Sequence, residues 1–258
     1  MRINVTLLEV AASLVLVGLA AAVSYWRRAD LEKDLGVAVL RSFLQLTAVG
    51  YVIQAIFDSD SLWLVVLLLA VMVGFGSWTA RRRAREVPGA LPPIVLGLAT
   101  AAAVTLALVL ILGVFDPKPR FLVPVGGMVI GNAMTAAAVA LNRLADEVRS
   151  SRLQIEATLA LGATAAEAAR GMVTRSLRSG MIPLIDSTKT TGVVFFPGTM
   201  VGMLLAGADP IDAVRLQLIL LWTLMGSVAI SAVLATTLGY RGFFTSAHQL
   251  RELPPKER

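Results

Sequence analysis

The stretch LPPIVLGLATAAAVTLALVLILGV, residues 91–114, holds no charged side chain over 24 positions. A hydrocarbon core about 30 Å thick is crossed by about 20 residues of α-helix, so this run alone is long enough to span a bilayer. Working outward, runs of the same kind cover residues 5–25, 35–57 and 61–80 before it, and 121–141, 181–208 and 213–240 after it. Strands of a membrane barrel alternate between lipid and lumen over about 10 positions, whereas these runs are apolar throughout. The sequence therefore predicts an all-α, polytopic membrane protein of about seven transmembrane helices. Composition agrees: 57% of the 258 residues are hydrophobic and 16% charged, with mean hydropathy +0.77, against about 25% charged in ordinary soluble domains.

Residues 1–250 read as one transmembrane domain, because no interval between the runs could fold separately. Residues 251–258 read as a disordered cytoplasmic tail. Arg2 ahead of the first run and Ala20-Ala21-Ala22 within it resemble a cleavable signal peptide. The run nevertheless has spanning length, and the stronger positive cluster, Trp26-Arg27-Arg28, follows it, so it reads as an uncleaved helix. The intervals 27–33, 81–85, 143–178 and 241–258 carry 17 Lys and Arg, and the alternate ones carry four. Positive charge is retained inside, which predicts an external N-terminus and an internal C-terminus in a plasma or inner cell membrane. The net charge of +6 thus serves topology, and nucleic acid is not an expected partner. With no cysteine and one histidine, His248, disulfide frameworks, thiolate metal sites and Cys/His catalysis are excluded.

The longest polar segment, residues 142–180, reads as a cytoplasmic pair of helices. The first, over 145–161, ends at Gly162, the residue type best suited to a left-handed terminus. The second opens with Thr164-Ala165-Ala166-Glu167, the spacing of a capping box. A rigid helix–turn–helix knob suits a membrane protein moved by a motor, because it can transmit motion to the spans attached to it. Glu156-Ala157-Thr158-Leu159-Ala160-Leu161-Gly162 also resembles the Glu-Ala-Ala, three residues, Gly signature of ABC importer permeases. Glu156, Ala157, Leu161, Gly162, Ala163 and Thr164 are therefore the candidate ATPase-coupling residues. An amphipathic loop packed on its own bundle is the alternative. The nucleotide loop G-x-x-x-x-G-K-[ST] is absent, so ATP and Mg²⁺ would be held by a partner, and no cofactor is expected in this chain.

Inside the spans, small residues that let backbones approach carry helix association. Gly127 and Gly131 form one such face, and Gly198, Gly202 and Ala206 another, either between two copies in a homodimer or within one subunit. Pro197-Gly198 is expected to interrupt the sixth run, and broken helices in transporters border the pathway. Asp186 and Lys189, three positions apart, pair either within the bilayer or at its cytoplasmic edge. Asn132, Asp186, Lys189, Pro197, Gly198 and Met200 are the pathway candidates. Arg41 and Gln45 read as glue between helices. The methionines read as packing residues rather than metal ligands.

Several segments together resemble one family. They are Leu31-Glu32-Lys33-Asp34-Leu35, Arg41-Ser42-Phe43-Leu44-Gln45-Leu46, the glycine–methionine–asparagine run from Pro124 to Met134, Leu141-Asn142-Arg143-Leu144, the run from Ile155 to Thr164, and Phe196-Pro197-Gly198-Thr199-Met200-Val201-Gly202. The resemblance is to the FetB/YbbM-type ABC transporter permeases, an uncharacterised protein family with plant relatives in aluminium tolerance. It implies a permease paired with a separate ATP-binding subunit, exporting iron in bacteria. For the plant relatives it implies movement of a nucleotide sugar.

Other classes fit less well. In a retinal-type photoprotein Lys189 would be the Schiff-base lysine, yet it lies in the sixth run rather than the last, and only 6% of residues are aromatic. A membrane enzyme needs clustered acids or histidines, while Glu9, Asp34 and Asp186 stand on separate segments.

Overall fold

In lipid a backbone must satisfy its own N–H and C=O groups, which an apolar run achieves as a helix. The computed structural model, which describes residues 7–252, is built of helices: α1 (Leu7–Arg27), α2 (Glu32–Ser59), α3 (Leu62–Arg83), α4 (Leu91–Ile111), α5 (Pro119–Ser150), α6 (Arg152–Ala160), α7 (Ala165–Thr190), α8 (Gly198–Leu205) and α9 (Pro210–Gly239), closed by a 3₁₀ turn at Tyr240–Phe243. The first two positions of the expected run at 5–25, Arg2 ahead of it, and residues 253–258 of the expected tail lie outside the described residues. Among the described residues, six helices, α1 to α5 and α9, are long and apolar enough to cross a membrane. The sixth run, 181–208, is divided between α7 and α8.

Two compact units are present. The first comprises the chain up to Asp60 with Leu205–Gly207. Here α1 packs on α2 across a short reversal in which Arg28 and Asp30 adopt φ of 55° and 53°. The Ser24 hydroxyl accepts from the Leu31 amide at 3.0 Å and fixes that reversal.

The second unit, Ser61–Leu204 with the chain from Ala208 onward, is organised around α5, which packs on α3, α4, α7 and α9. Its contact faces mix small residues, which let bilayer helices approach closely, with larger aliphatic ones. Val129, Ala133, Ala137, Leu141, Leu144 and Ala145 of α5 are fully buried. Where α7 crosses α5, a Cβ on Gly180 would stand 2.8 Å from the Ala140 Cβ and 2.9 Å from the Ala136 carbonyl oxygen. Where α4 crosses α9, a Cβ on Gly97 would stand 3.0 Å from the Ser231 carbonyl oxygen, and the Ser231 hydroxyl donates to the Ala133 carbonyl of α5 at 3.2 Å.

Two boundaries differ from expectation. The loop helix expected over 145–161 is two pieces, because α5 continues to Ser150 and α6 begins at Arg152. Continuation is held by Glu147, whose side chain is only 6% exposed and bonds Arg175 of α7 at 2.7 Å while pairing with Arg143 one turn back. The Ser150 hydroxyl, which donates to the Glu147 carbonyl, then competes with the backbone ladder where α5 stops. The break in the sixth run opens earlier than Pro197-Gly198, over residues 191–197. Thr188, Thr190 and Thr191 turn their hydroxyls back onto carbonyls of α7, and Gly192 at φ 84° reverses the chain, with its amide donating to the Phe195 carbonyl at 2.9 Å. Pro183 does not interrupt α7.

Candidate functional site

The helix–turn–helix element at 152–190 is built as its sequence spacing requires. Gly162 sits at φ 90°, with nothing within 4 Å of the place a Cβ would occupy. Thr164 caps α7 in a complete capping box: its hydroxyl accepts from the Glu167 amide, and a Glu167 oxygen accepts from the Thr164 amide at 2.8 Å. Those bonds hold the Glu167 carboxyl below its ordinary range, the backbone amide of Thr164 being the larger cause and its hydroxyl the second. Ile155, Ala165, Ala169 and Met172 anchor the element in the core. On its outer side Glu156, bonded to Arg152 at 2.8 Å, Ala157 and Gly162 are exposed, and Ala163 is half-buried. Leu161 at the tip is 90% exposed, and Leu153 on the preceding helix is 82% exposed. The element therefore packs on its own bundle through one face and presents unpaired leucines on another.

A second site lies deeper, where α5 and α7 run alongside each other. Asn132, Thr135, Pro183, Leu184 and Ser187 line a groove of about 130 Å³, with Gly180 and Val228 closing it. Asn132 stands near the middle of the apolar run 121–141. Ser187 shares the groove, so the neighbouring Asp186 and Lys189 are level with the middle of α5 rather than with its charged end. They pair at 3.6 Å, and both side chains are more than half exposed. The groove is rich in acceptors. Thr135 and Ser187 donate their only side-chain protons to the Gly131 and Leu184 carbonyls, and Asn132 spends one of its two amide protons on the Met128 carbonyl at 2.8 Å. Three side-chain oxygens thus remain to accept. Pro183 in the same wall lacks the N–H that the Ser179 carbonyl would otherwise receive.

Pro197 and Met200 are half-buried at the start of α8, and Gly198 is exposed beside them. The expected packing glycines divide. Gly127 meets Met72, whose Cε would lie 3.0 Å from an added Cβ, whereas Gly131, Gly198 and Gly202 have open space and Ala206 is exposed. Close packing within the chain falls instead to Gly97, Gly126, Gly180 and Gly239. Sequence reasoning missed these, although Gly180 lies four residues from Ser176, so that two small residues share one face of α7. It also missed Thr135 and Ser187, which the helical offsets from Asn132 and Pro183 could have indicated, and Glu147, four residues from Arg143. Among the described residues no group of three or more His, Cys, Asp or Glu side chains could hold a metal ion.

A multi-pass helical bundle with a helix–turn–helix element outside its spans, and a polar groove beside an interrupted helix within them, has the form of a membrane transport protein. The chain belongs to the uncharacterised protein family UPF0014, whose model matches residues 7–244, and its relatives include proteins named as UPF0014 membrane proteins and one named as an export permease. It is 38% identical over 248 residues to the UPF0014 membrane protein STAR2 of Oryza sativa subsp. japonica, covering 96% of this chain and 87% of that one. It is 37% identical to Protein ALUMINUM SENSITIVE 3 of Arabidopsis thaliana, covering 93% and 88%. It is 35% identical to the probable iron export permease protein FetB of Escherichia coli (strain K12), covering 96% and 95%. No solved structure matches the chain.

Proposed function

We propose that this chain is the transmembrane permease subunit of an ATP-driven ABC-type transporter, working as a homodimer with its N-terminus outside and its C-terminus inside. The turn at 156–164 docks a separate cytoplasmic ATPase, which binds the ATP and Mg²⁺, and the cargo is iron or another metal or metal complex, moved outward. The observation that carries this reading is Leu161, 90% exposed at the tip of a turn whose second helix, α7, runs unbroken to the polar groove. An apolar knob on a rigid lever is costly in water unless a partner covers it. The exposed Gly198 and Gly202 of α8 support contact between two copies.

Cargo follows from the groove's chemistry. A surplus of acceptor oxygens favours a cation or a donor-bearing complex over an anion, and iron export is the activity in the name of FetB. An organic anion or nucleotide sugar is the second reading. It rests on Lys189, the one cation at that depth of α7, whose charge Asp186 already engages. The test is gentle purification of the tagged chain from its native membranes with mass spectrometry of what accompanies it. A stoichiometric ATPase is expected. Its absence from a preparation still folded and dimeric overturns the reading.

A further inference from the structure

The first amides of a helix have no partner within the helix, and at α7 the capping box satisfies two of them, those of Thr164 and Glu167. The amide of Ala165 is satisfied from elsewhere. It donates to Nδ1 of His248, 83 positions further along the chain, at 3.3 Å. The segment that delivers this imidazole is itself pinned. Phe243 is fully buried, Phe244 pairs with Leu250 as an isolated antiparallel bridge, the Thr245 amide donates to the Gln249 carbonyl at 2.8 Å, and the Arg251 amide donates to the Phe243 carbonyl at 2.8 Å. Residue 251, expected at the start of a disordered tail, is therefore held. His248 has φ 56°, a conformation that a β-carbon resists and that Asn tolerates better than most residues. Between this segment and α6 runs a groove of about 400 Å³, lined by Glu156, Leu159, Ala160 and Ala163 on one side and Ala247 to Leu250 on the other.

We infer that residues 243–251 form a clasp that locks the coupling turn to the end of α9, with His248 as its positioning residue. This rests on the reading of the 156–164 turn as the ATPase contact and extends it. A push on the turn is then carried by two spans, by α7 directly and by α9 through the 3₁₀ turn and the clasp. The carboxamide oxygen of Asn can reach the position of a histidine Nδ1, so Asn at 248 keeps both the acceptor and the backbone conformation, while Ala keeps neither.

The experiment uses the full chain purified with its accompanying ATPase, as wild type, His248→Ala and His248→Asn. Two quantities are read: hydrogen exchange of the peptide containing residues 163–167, and cargo moved per ATP hydrolysed in proteoliposomes. Loss of one such bond should speed exchange there by roughly two- to tenfold in His248→Ala, lower the transport-to-hydrolysis ratio, and leave exchange in α4 and α5 unchanged, and His248→Asn should restore both. Unchanged exchange in His248→Ala, or an Asn variant as defective as the Ala variant, overturns the clasp. Faster exchange with an unchanged ratio overturns its part in coupling. If no ATPase accompanies the wild type, the permease reading fails by itself, and the exchange arm still decides whether the clasp exists.

Discussion

Replacing Gly162 by Val tests the proposed coupling turn with a cost that can be worked out from the backbone. Gly162 holds φ 90°, and a Cβ there meets no atom within 4 Å, so the substitution introduces no clash. Its whole effect is conformational. An L-residue held at positive φ costs about 1–3 kcal/mol, with a β-branched side chain toward the upper end. At about 1.4 kcal/mol per factor of ten, the formed turn loses roughly 5- to 150-fold in population against relaxed alternatives. The helix bundle does not share this loss, because its core of Val129, Ala133, Ala137, Leu141 and Leu144 lies elsewhere. In proteoliposomes holding the chain and the proposed partner ATPase, Gly162→Val should hydrolyse ATP with little transport, while circular dichroism and thermal unfolding remain near wild type. Gly162→Asn, whose side chain tolerates the left-handed region, should keep most of the coupling. A Val variant with the wild-type ratio of cargo moved to ATP consumed would refute the turn's role.

Four further outcomes are expected. Gly180→Val should destabilise the α5–α7 crossing by about 1–3 kcal/mol, since its side chain overlaps Ala140 and the Ala136 carbonyl; a thermal midpoint unchanged in detergent would contradict the packing. Arg175→Ala should cost more stability than Glu147→Gln, because the first leaves a carboxylate that is 6% exposed with one partner fewer, whereas the second leaves two half-exposed guanidinium groups that water can reach; thermal unfolding of the two variants compares them. The Glu167 carboxyl is held below its ordinary range, so its contribution to the start of α7 is complete above that range and is lost as pH falls through the lowered folded value; hydrogen exchange at 163–167 should rise with acid, corrected for intrinsic rates, in the wild type and stay flat in Glu167→Gln. Asn132→Leu removes one acceptor from the groove and should abolish transport while ATP hydrolysis and fold persist; uptake assays in inverted vesicles with Fe²⁺ check this.

The spans were legible because lipid leaves an apolar run one solution, so a 24-residue stretch such as 91–114 reveals its structure without tertiary help. The capping box and Gly162 were legible for a similar reason, each being a local demand of the backbone written into one or four residues. The true break at 191–197 was harder to read. Pro197 is the conspicuous helix breaker, but the chain leaves α7 six residues earlier, through threonine hydroxyls that satisfy carbonyls and a glycine that turns. Pro183 misleads in the opposite sense, since α7 passes through it. The groove and the clasp lay beyond sequence reasoning because they are made by distant segments. Nothing near Ala165 in sequence indicates that its amide is completed by His248, and only the close crossing at Gly180 brings Ser187 to the level of Asn132.

These pieces bear on one another through α7. Its 26 residues span about 39 Å, with the proposed coupling turn at one end and the interrupted span at the other. A helix that continues through Pro183 and is gripped along its length by α5 cannot absorb a displacement at Thr164 by bending, because Gly180 against Ala136 and Ala140 leaves no room to rock toward α5. The remaining freedom is to slide or rotate along that contact. Either motion shifts Ser187 and Asp186 relative to Asn132, and the segment at 191–197, with Val193 and Val194 exposed and few tertiary bonds, is where the strain can be released. An uninterrupted sixth span would carry the same motion straight to the far side of the bilayer and leave the groove unchanged. On the proposed docking of the turn, the break would let a push there alter the polar groove, so bridging it should uncouple the two ends. In this cysteine-free chain, introduced cysteine pairs joining α7 to α8 offer a clean means of doing so, with reductant restoring transport.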